Sequence, residues 1–385
     1  MTRRNEIEQL TERDRKILYE MNNLRFVTME QFRMISGYGK SYTFEKSREY
    51  QRVNAITSKE IIGSDFYQVG RRKRQGKYLS LTHQGMKYLF NHGYEVTSTA
   101  QENKNVRAER LLAILKTNDL ALGIKPFGWH FLDGRDAKRR YKTDIKNALL
   151  HGLFIPPSEK REFGFYMLMS EDNERTVDLI KQQTANFPQI SNIMIATRTP
   201  TAVQTAVKQL DVETLRYHGR NIPKLQIGGK LIVLPIMFAL IYLPISKDNV
   251  EKHKQFLESL NYQILVDMDN HELVEKNNFT KRRFDYVVRN DYFKANNEHN
   301  DFYLVDMLDN DLTKLRNIAN YSDEEYQRDG RKVIVLTTNQ PFHKPIHELY
   351  IMGHHFIFHT IKAKDVNYMK NKLYSDVVVP ERTLK

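Results

Sequence analysis

Two aspartates stand on apolar, β-prone runs, Asp285 in RRFDYVV and Asp306 in FYLVDM. Carboxylates on neighbouring strands can share a Mg²⁺ ion and polarise a phosphodiester. That chemistry wants a lysine two residues after the second acid, and Leu308 stands there. An earlier stretch has the same order of elements without the acids. Pro156, Pro157 and Ser158 hold the place of the first, and Met167, Leu168 and Met169 the place of the second. Asp285 and Asp306 are therefore only weak catalytic candidates. The reading is a protein without catalysis or cofactor of its own, with Mg²⁺ entering only if the pair is an active endonuclease site.

The histidines are the next group able to bind a metal. His343 and His347 have HxxxH spacing, with His354, His355 and His359 nearby. A zinc pair at that spacing needs one continuous helical face. Pro345 interrupts it, so surface or core histidines are expected and no metal site is assigned. His355-Phe-Ile-Phe-His359 lacks the spacing of a His-hydrophobe-His relaxase motif. None of the 21 tyrosines is marked as a nucleophile. With no cysteine, disulfides and thiolate chemistry are excluded. No GxxxxGK[ST] or GxGxxG loop is present, so no nucleotide site is expected.

The strongest binding signal is electrostatic. In FYQVGRRKRQGKYLSL, residues 66–81, two β-prone runs flank Arg71, Arg72, Lys73 and Arg74, with Gly70 and Gly76 closing the loop. Such a hairpin suits a wing laid along a phosphate backbone, with Lys77 at its base. Three helix-like stretches precede it. Thr11 caps the first, and Thr28 caps the second, which Gly37 ends. The third, read as residues 42–59, is the recognition helix of a helix-turn-helix. Lys40, Ser41, Tyr42, Thr43, Lys46, Arg48 and Arg52 are its DNA-contact candidates. Its register is ambiguous, since Phe44 and Ala55 share one face while Val53 and Ile56 lie on another. A second basic patch, Arg135, Lys138, Arg139, Arg140 and Lys142, reads as a turn that is either solvated or a further nucleic-acid contact.

The chain has 385 residues and a net charge of +13. Residues 1–110 carry 21 Lys and Arg against 13 Asp and Glu, so +8 of that charge lies there. This asymmetry favours a polyanionic partner. The longest apolar run, residues 231–245, contains Pro235 and Pro244 and falls short of the roughly 20 residues of a spanning helix. It reads as buried strands. No apolar leader opens the chain, and a cytoplasmic location without membrane association is expected. The fold class read from these patterns is mixed α+β. A winged helix-turn-helix (residues 1–92) and a linker (93–105) precede two α/β domains (106–225 and 226–385). The α/β region repeats strand–strand–helix–strand, as two degenerate nuclease-like units of PD-(D/E)xK type would.

TERDRKILYEMNNLRFVTMEQFRMI, the following helix, the basic wing and YLSLTHQG together resemble the replication-relaxation family, winged-helix proteins of Gram-positive plasmids and integrative elements. The resemblance covers residues 8–92. It implies a sequence-specific double-stranded DNA-binding protein of a mobile element, an accessory or initiator factor in plasmid replication or conjugative relaxation. Its implied partners are DNA, a relaxase or replication protein, and further copies of itself, a dimer being the default. The alternatives are a winged-helix transcriptional regulator with an oligomerisation or sensor domain, and a Mg²⁺-dependent endonuclease using Asp285 and Asp306.

Overall fold

The computed structural model describes residues 6–61, 68–69, 72–73, 76–96, 106–141, 149–158, 161–170, 174–185, 189–211, 214–217, 220–223, 227–269, 284–296 and 301–375. The chain is mixed α/β. It divides into two compact units, one within residues 1–126 and 130–154, the other within 127–129 and 155–377. These borders differ from those expected at residues 92 and 225.

The first unit opens with α1 (Glu12–Leu24). The Thr11 hydroxyl accepts from the Asp14 amide, and the Asp14 carboxylate accepts from the Thr11 amide. A two-residue strand, β1 (Val27–Thr28), leads into α2 (Met29–Ser36). Thr28 and Gln31 repeat the reciprocal cap, and Gly37 ends the helix in the left-handed region at φ 66°. Next come α3 (Lys40–Arg52) and β2 (Ile56–Glu60), separated by Asn54 at φ 57°. A short hairpin, β3 (Gln68–Val69) with β4 (Arg72–Lys73), precedes β5 (Lys77–Leu81). Then α4 (His83–Asn91) begins at Thr82, whose hydroxyl accepts from the Gly85 amide.

Two expectations are corrected here. The third helix ends at Arg52, not residue 59, because left-handed Asn54 turns the chain into ITSKE, a strand that opens on β-branched Ile56 and Thr57. The partner of β5 is this β2, not the run at residues 66–69. The two pair antiparallel from Ile56↔Leu81 to Glu60↔Lys77, and β1 flanks β5 on its other side. A core of Ile17, Leu18, Met21, Phe32, Tyr50, Leu79 and Leu89 lies beneath this sheet.

Helix α5 (Ala108–Ile124) is longer than the expected residues 106–116 and belongs to this first unit. The Gln31 side-chain amide donates to Leu115 O at 2.7 Å and to Asp119 Oδ1 at 2.8 Å. Asn118 donates to Leu24 O and Phe26 O. The unit continues through β6 (His130–Asp133), α6 (Gly134–Arg140) and β7 (Gly152–Ile155).

In the second unit, β8 (Phe163–Leu168), α7 (Glu174–Ala185), β9 (Asn192–Thr197), α8 (Pro200–Asp211), the hairpin β10 (Thr214–Tyr217) with β11 (Arg220–Pro223), and β12 (Leu231–Pro235) follow in turn. Strands β8, β9 and β12 are parallel and buried throughout, as their unbroken apolar sequences require. The apolar run at 231–245 is not all strand. After Pro235 it becomes α9 (Ile236–Tyr242), since proline is tolerated at a helix start. No helix among the described residues is long and apolar enough to cross a membrane.

The unit ends in α10 (Val250–Ser259), β13 (Gln263–Asp267), β14 (Tyr286–Arg289), β15 (Phe302–Asp306), α11 (Leu312–Ala319), α12 (Asp323–Asp329), β16 (Val333–Thr338), α13 (Lys344–Tyr350), β17 (Phe356–Ile361) and α14 (Ala363–Leu373). The sheet order is β13-β14-β15-β16-β17. The first three strands are antiparallel, and β15, β16 and β17 are parallel. The segment from β8 to β12 and the segment from β15 to β17 thus each place three parallel strands side by side in chain order with helices in the connections, the first with the β10–β11 hairpin inserted before β12 and the second with two helices before β16.

Candidate functional site

The register that sequence left open on α3 is settled by burial. Thr43, Ser47 and Tyr50 face inward, at i, i+4 and i+7. Lys40, Ser41, Tyr42, Phe44, Glu45, Arg48, Gln51 and Arg52 are exposed. Of the DNA-contact candidates, Thr43 and Lys46 must be withdrawn. The Thr43 hydroxyl donates to Gly39 O at 2.9 Å. The Lys46 ammonium is 3.2 Å from buried Asp14 and 3.0 Å from Glu49. Asp14 also accepts from Tyr50 Oη at 2.6 Å, so one carboxylate ties α1 to α3. Burial alone would push the Asp14 carboxyl up, but the Tyr50, Thr11 and Lys46 donors hold it below its ordinary value.

Two large aromatics lie outward near the start of α3, Tyr42 at 47% and Phe44 at 46% exposure. Sequence reasoning did not name Phe44 as a contact residue, because it left open which face of the helix points inward. Among the basic-loop candidates, Arg72 and Lys73 form β4, and Lys77 opens β5 with an exposed side chain. Arg71 and Arg74 lie outside the described residues, as does Lys142 of the second patch.

That second patch is a helix rather than a turn, because Asp133 caps α6 by accepting from the amides of Arg135 and Asp136. Arg135 pairs with Asp133 and donates to Asn22 O at 2.8 Å. Arg139 pairs with Asp136 and Glu95. Lys138 and Arg140 also have interaction partners. The cations of α6 are thus largely engaged within the first unit.

The two candidate acids meet in the second unit. Asp285 immediately precedes β14, and Asp306 ends β15. The Asp306 amide donates to Asp285 Oδ2 at 2.8 Å. The lysine missing at position 308 is supplied from α11. Lys314 Nζ donates to Asp285 Oδ2 at 2.9 Å and to Asp306 O at 2.8 Å. Left-handed Asn310 (φ 50°) turns the chain between β15 and α11, and Asp311 caps the helix. Sequence spacing could not reveal Lys314, because it lies eight residues beyond Asp306.

Asp306 makes further contacts. His253 Nε2 lies 2.7 Å from its Oδ2, Tyr242 Oη donates to the same oxygen, and the Leu308 amide donates to Oδ1 at 2.9 Å. His253 Nδ1 is 3.0 Å from Tyr286 Oη. Lys247 lies 3.6 Å from Asp285 Oδ1. Lys230 bridges Asp248 and Asp309 at 2.9 and 3.8 Å. Asp311 Oδ1 accepts from the Leu231 amide, and Asn310 donates to Val233 O, so the turn after β15 is stitched to β12.

Burial opposes the charged form of every group in this cluster, and the neighbouring charges decide how far it succeeds. It would push Asp285 up, yet Lys314 and Lys247 hold its carboxyl well below the usual range. The same burial acts against the Lys314 cation, and Asp285, Asp309 and Asp306 outweigh it, raising its pKa. For Asp309 burial wins over Lys314 and Lys230, pushing the carboxyl up to about 7. A divalent cation fits poorly here. Both Asp306 oxygens accept from protein donors, and Asp285 faces two lysines and an amide. Asp285, Asp306 and Lys314 are moreover all buried.

His343 and His347 are fully buried, beneath β16. His343 Nδ1 is 2.7 Å from Thr338 Oγ1, and His347 Nδ1 is 2.9 Å from Thr337 Oγ1. Pro345 opens α13 rather than breaking it, leaving His343 outside as the N-cap residue. Burial drives His343 well below its ordinary pKa and His347 down to about 3. These are core histidines. No protein-family model matches the chain, no curated protein matches it, and no solved structure matches it.

Proposed function

We propose that the protein binds double-stranded DNA through its first unit, built as a winged helix. The observation that carries this reading is the outward face of α3, where Lys40, Ser41, Tyr42, Arg48 and Arg52 are exposed while Thr43, Ser47 and Tyr50 pack inward. Helix–helix–helix followed by a β2–β5 hairpin with a basic connection is the element order of that module. In this reading α3 enters the major groove, and Arg48 and Arg52 contact phosphate or base edges. Exposed Phe44 supplies apolar contact with a thymine methyl. The basic stretch at residues 71–74 would add contacts to the neighbouring backbone.

The second unit is, in this proposal, a non-catalytic scaffold of two degenerate nuclease-like repeats. Support comes from the two sets of three parallel strands joined through helices and from the closed Asp285–Lys314–Asp306 cluster. It would recruit a relaxase, a replication protein or another copy of the chain. The resemblance of residues 8–92 to the replication-relaxation family is what favours, in this reading, an origin on a mobile element as the target.

The test is selection of fragments from the source replicon, then anisotropy titration over a range of salt. Enrichment of one origin-like site supports the proposal. So does a salt slope that falls in an Arg48→Ala/Arg52→Ala variant by about 0.9 per lost phosphate contact. Enrichment at promoters would indicate a transcriptional regulator, and Mg²⁺-dependent nicks lost in Asp306→Ala would indicate a nuclease. Binding too weak to distinguish from that of any basic protein would refute it.

A further inference from the structure

The turn before β17 and the first turn of α12 bring together Asp323, His354 and His355, one donor atom from each lying within 4.8 Å of the others. His355 is buried, and its Nε2 is 2.9 Å from Tyr321 O. A backbone carbonyl only accepts, so Nε2 carries the hydrogen. The neutral ring then directs its Nδ1 lone pair at Asp323 Oδ1, 2.9 Å away. Two acceptors at that distance need a cation between them, either a proton on Nδ1 or a metal ion. The carbonyl bond to the far nitrogen is also the contact that orients a metal-ligating imidazole.

The third donor stands ready. His354 Nδ1 is 3.6 Å from Asp323 Oδ1. Ligands at about 2.0–2.1 Å from a tetrahedral Zn²⁺ are about 3.4 Å apart, and the observed 2.9 and 3.6 Å bracket that value. Both His354 and Asp323 are exposed, so their side chains can adjust while His355 stays held by Tyr321 O and by the Tyr326 ring stacked on it at 5.4 Å. Gly353 (φ 131°) makes the approach feasible, since a Cβ there would come within 2.6 Å of the His355 ring.

We propose that Asp323, His354 and His355 form a site for a borderline divalent transition metal, of which Zn²⁺ is the representative. Two imidazoles and one carboxylate favour such an ion over Mg²⁺ or Ca²⁺. Three protein ligands leave the fourth position to water, on the exposed side. Binding displaces the His355 Nδ1 proton, where present, to solvent. The ion would clamp the start of α12 to the entry of β17.

The experiment uses full-length, tag-free protein stripped with a chelator, titrated with Zn²⁺ by calorimetry and checked by equilibrium dialysis with metal analysis. One ion per chain is expected, with a rise in Tm and no displacement by excess Mg²⁺. His354→Ala and Asp323→Asn, both at exposed positions, should keep the wild-type circular dichroism and each weaken binding about ten-fold or more. Their combination should abolish the Tm rise. Zn²⁺ binding unchanged in the double variant would overturn the site, as would wild-type protein that retains no ion in dialysis.

Discussion

Replacing Lys314 by Met tests whether the Asp285–Lys314–Asp306 cluster is a closed structural clamp. The substitution keeps the apolar stem and removes the ammonium. Asp285 then loses its 2.9 Å partner, and Asp306 O loses its 2.8 Å donor. What remains for Asp285 is Lys247 at 3.6 Å and the Asp306 amide. Breaking a buried pair on one side costs about 3–5 kcal/mol, and the residual partners place this case near the lower figure. At roughly 2–4 °C per kcal/mol for a unit of this size, Tm should fall by about 6–12 °C.

The assays are thermal unfolding for Tm and urea unfolding for the free energy, both followed by the fluorescence of Trp129, the only tryptophan, which is buried in the second unit and therefore reports on it. Adding Asp285→Asn to Lys314→Met removes the stranded charge and should restore at least about 1 kcal/mol, a coupling of the size expected for direct contacts. The loss should also shrink in acid. A depressed Asp285 contributes stability above its unfolded pKa of about 3.9, and that contribution disappears as pH falls through the lower folded value. A Lys314→Met midpoint within about 1 kcal/mol of wild type would refute the clamp, as would additive effects in the double variant.

The second unit should lose stability between pH 6.5 and 5. His343 and His347 are held neutral in the core while the unfolded chain takes up a proton on each below about 6.5; Asp309, raised to about 7, opposes them by one proton. These three groups together give a slope of about 1.4 kcal/mol per pH unit, to which His359, also lowered by burial, adds in the same direction, and His343→Leu should reduce it in the same urea assay; an unchanged slope would contradict these assignments. Gly85→Ala puts a Cβ 2.1 Å from Ala55 O, a backbone atom. It should destabilise the first unit by about 3 kcal/mol, seen as an earlier transition in far-UV circular dichroism. A transition at the wild-type temperature would contradict that packing. Lys46→Met should destabilise this unit through Asp14 yet leave the salt slope of DNA binding unchanged, whereas Arg48→Ala should lower the slope by about one. The reverse pattern would mean that α3 docks with another face.

What sequence disclosed here follows the range of the interactions involved. Thr11, Thr28 and Gly37 were legible as caps because a cap is settled within four residues, and the structure bears each one out. The central strands of the second unit were legible because unbroken runs such as NIMIAT and KVIVLT announce buried strands, whereas α8, the β10–β11 hairpin, α10 and everything after β16 were not. The partner of β5 was not, because two arms 16 residues apart carry no mark of their pairing. Nor was the place of α5, which rests on Gln31 reaching Leu115 and Asn118 reaching Phe26. The acids show the same division. Asp285 and Asp306 stood out by their apolar surroundings, but their role depends on a lysine that the Asn310 turn returns to them. A motif counted along the chain recorded an absent lysine where the folded chain has one. It also suggested a metal pair where the carboxylates have already taken protein donors. Burial then decides the chemistry. The same two aspartates on an open sheet edge would be metal ligands; enclosed with Lys314, Lys247 and His253 they hold strands and helix together. Among the described residues, the exposed face of α3 is the surface on which the proposed DNA binding rests.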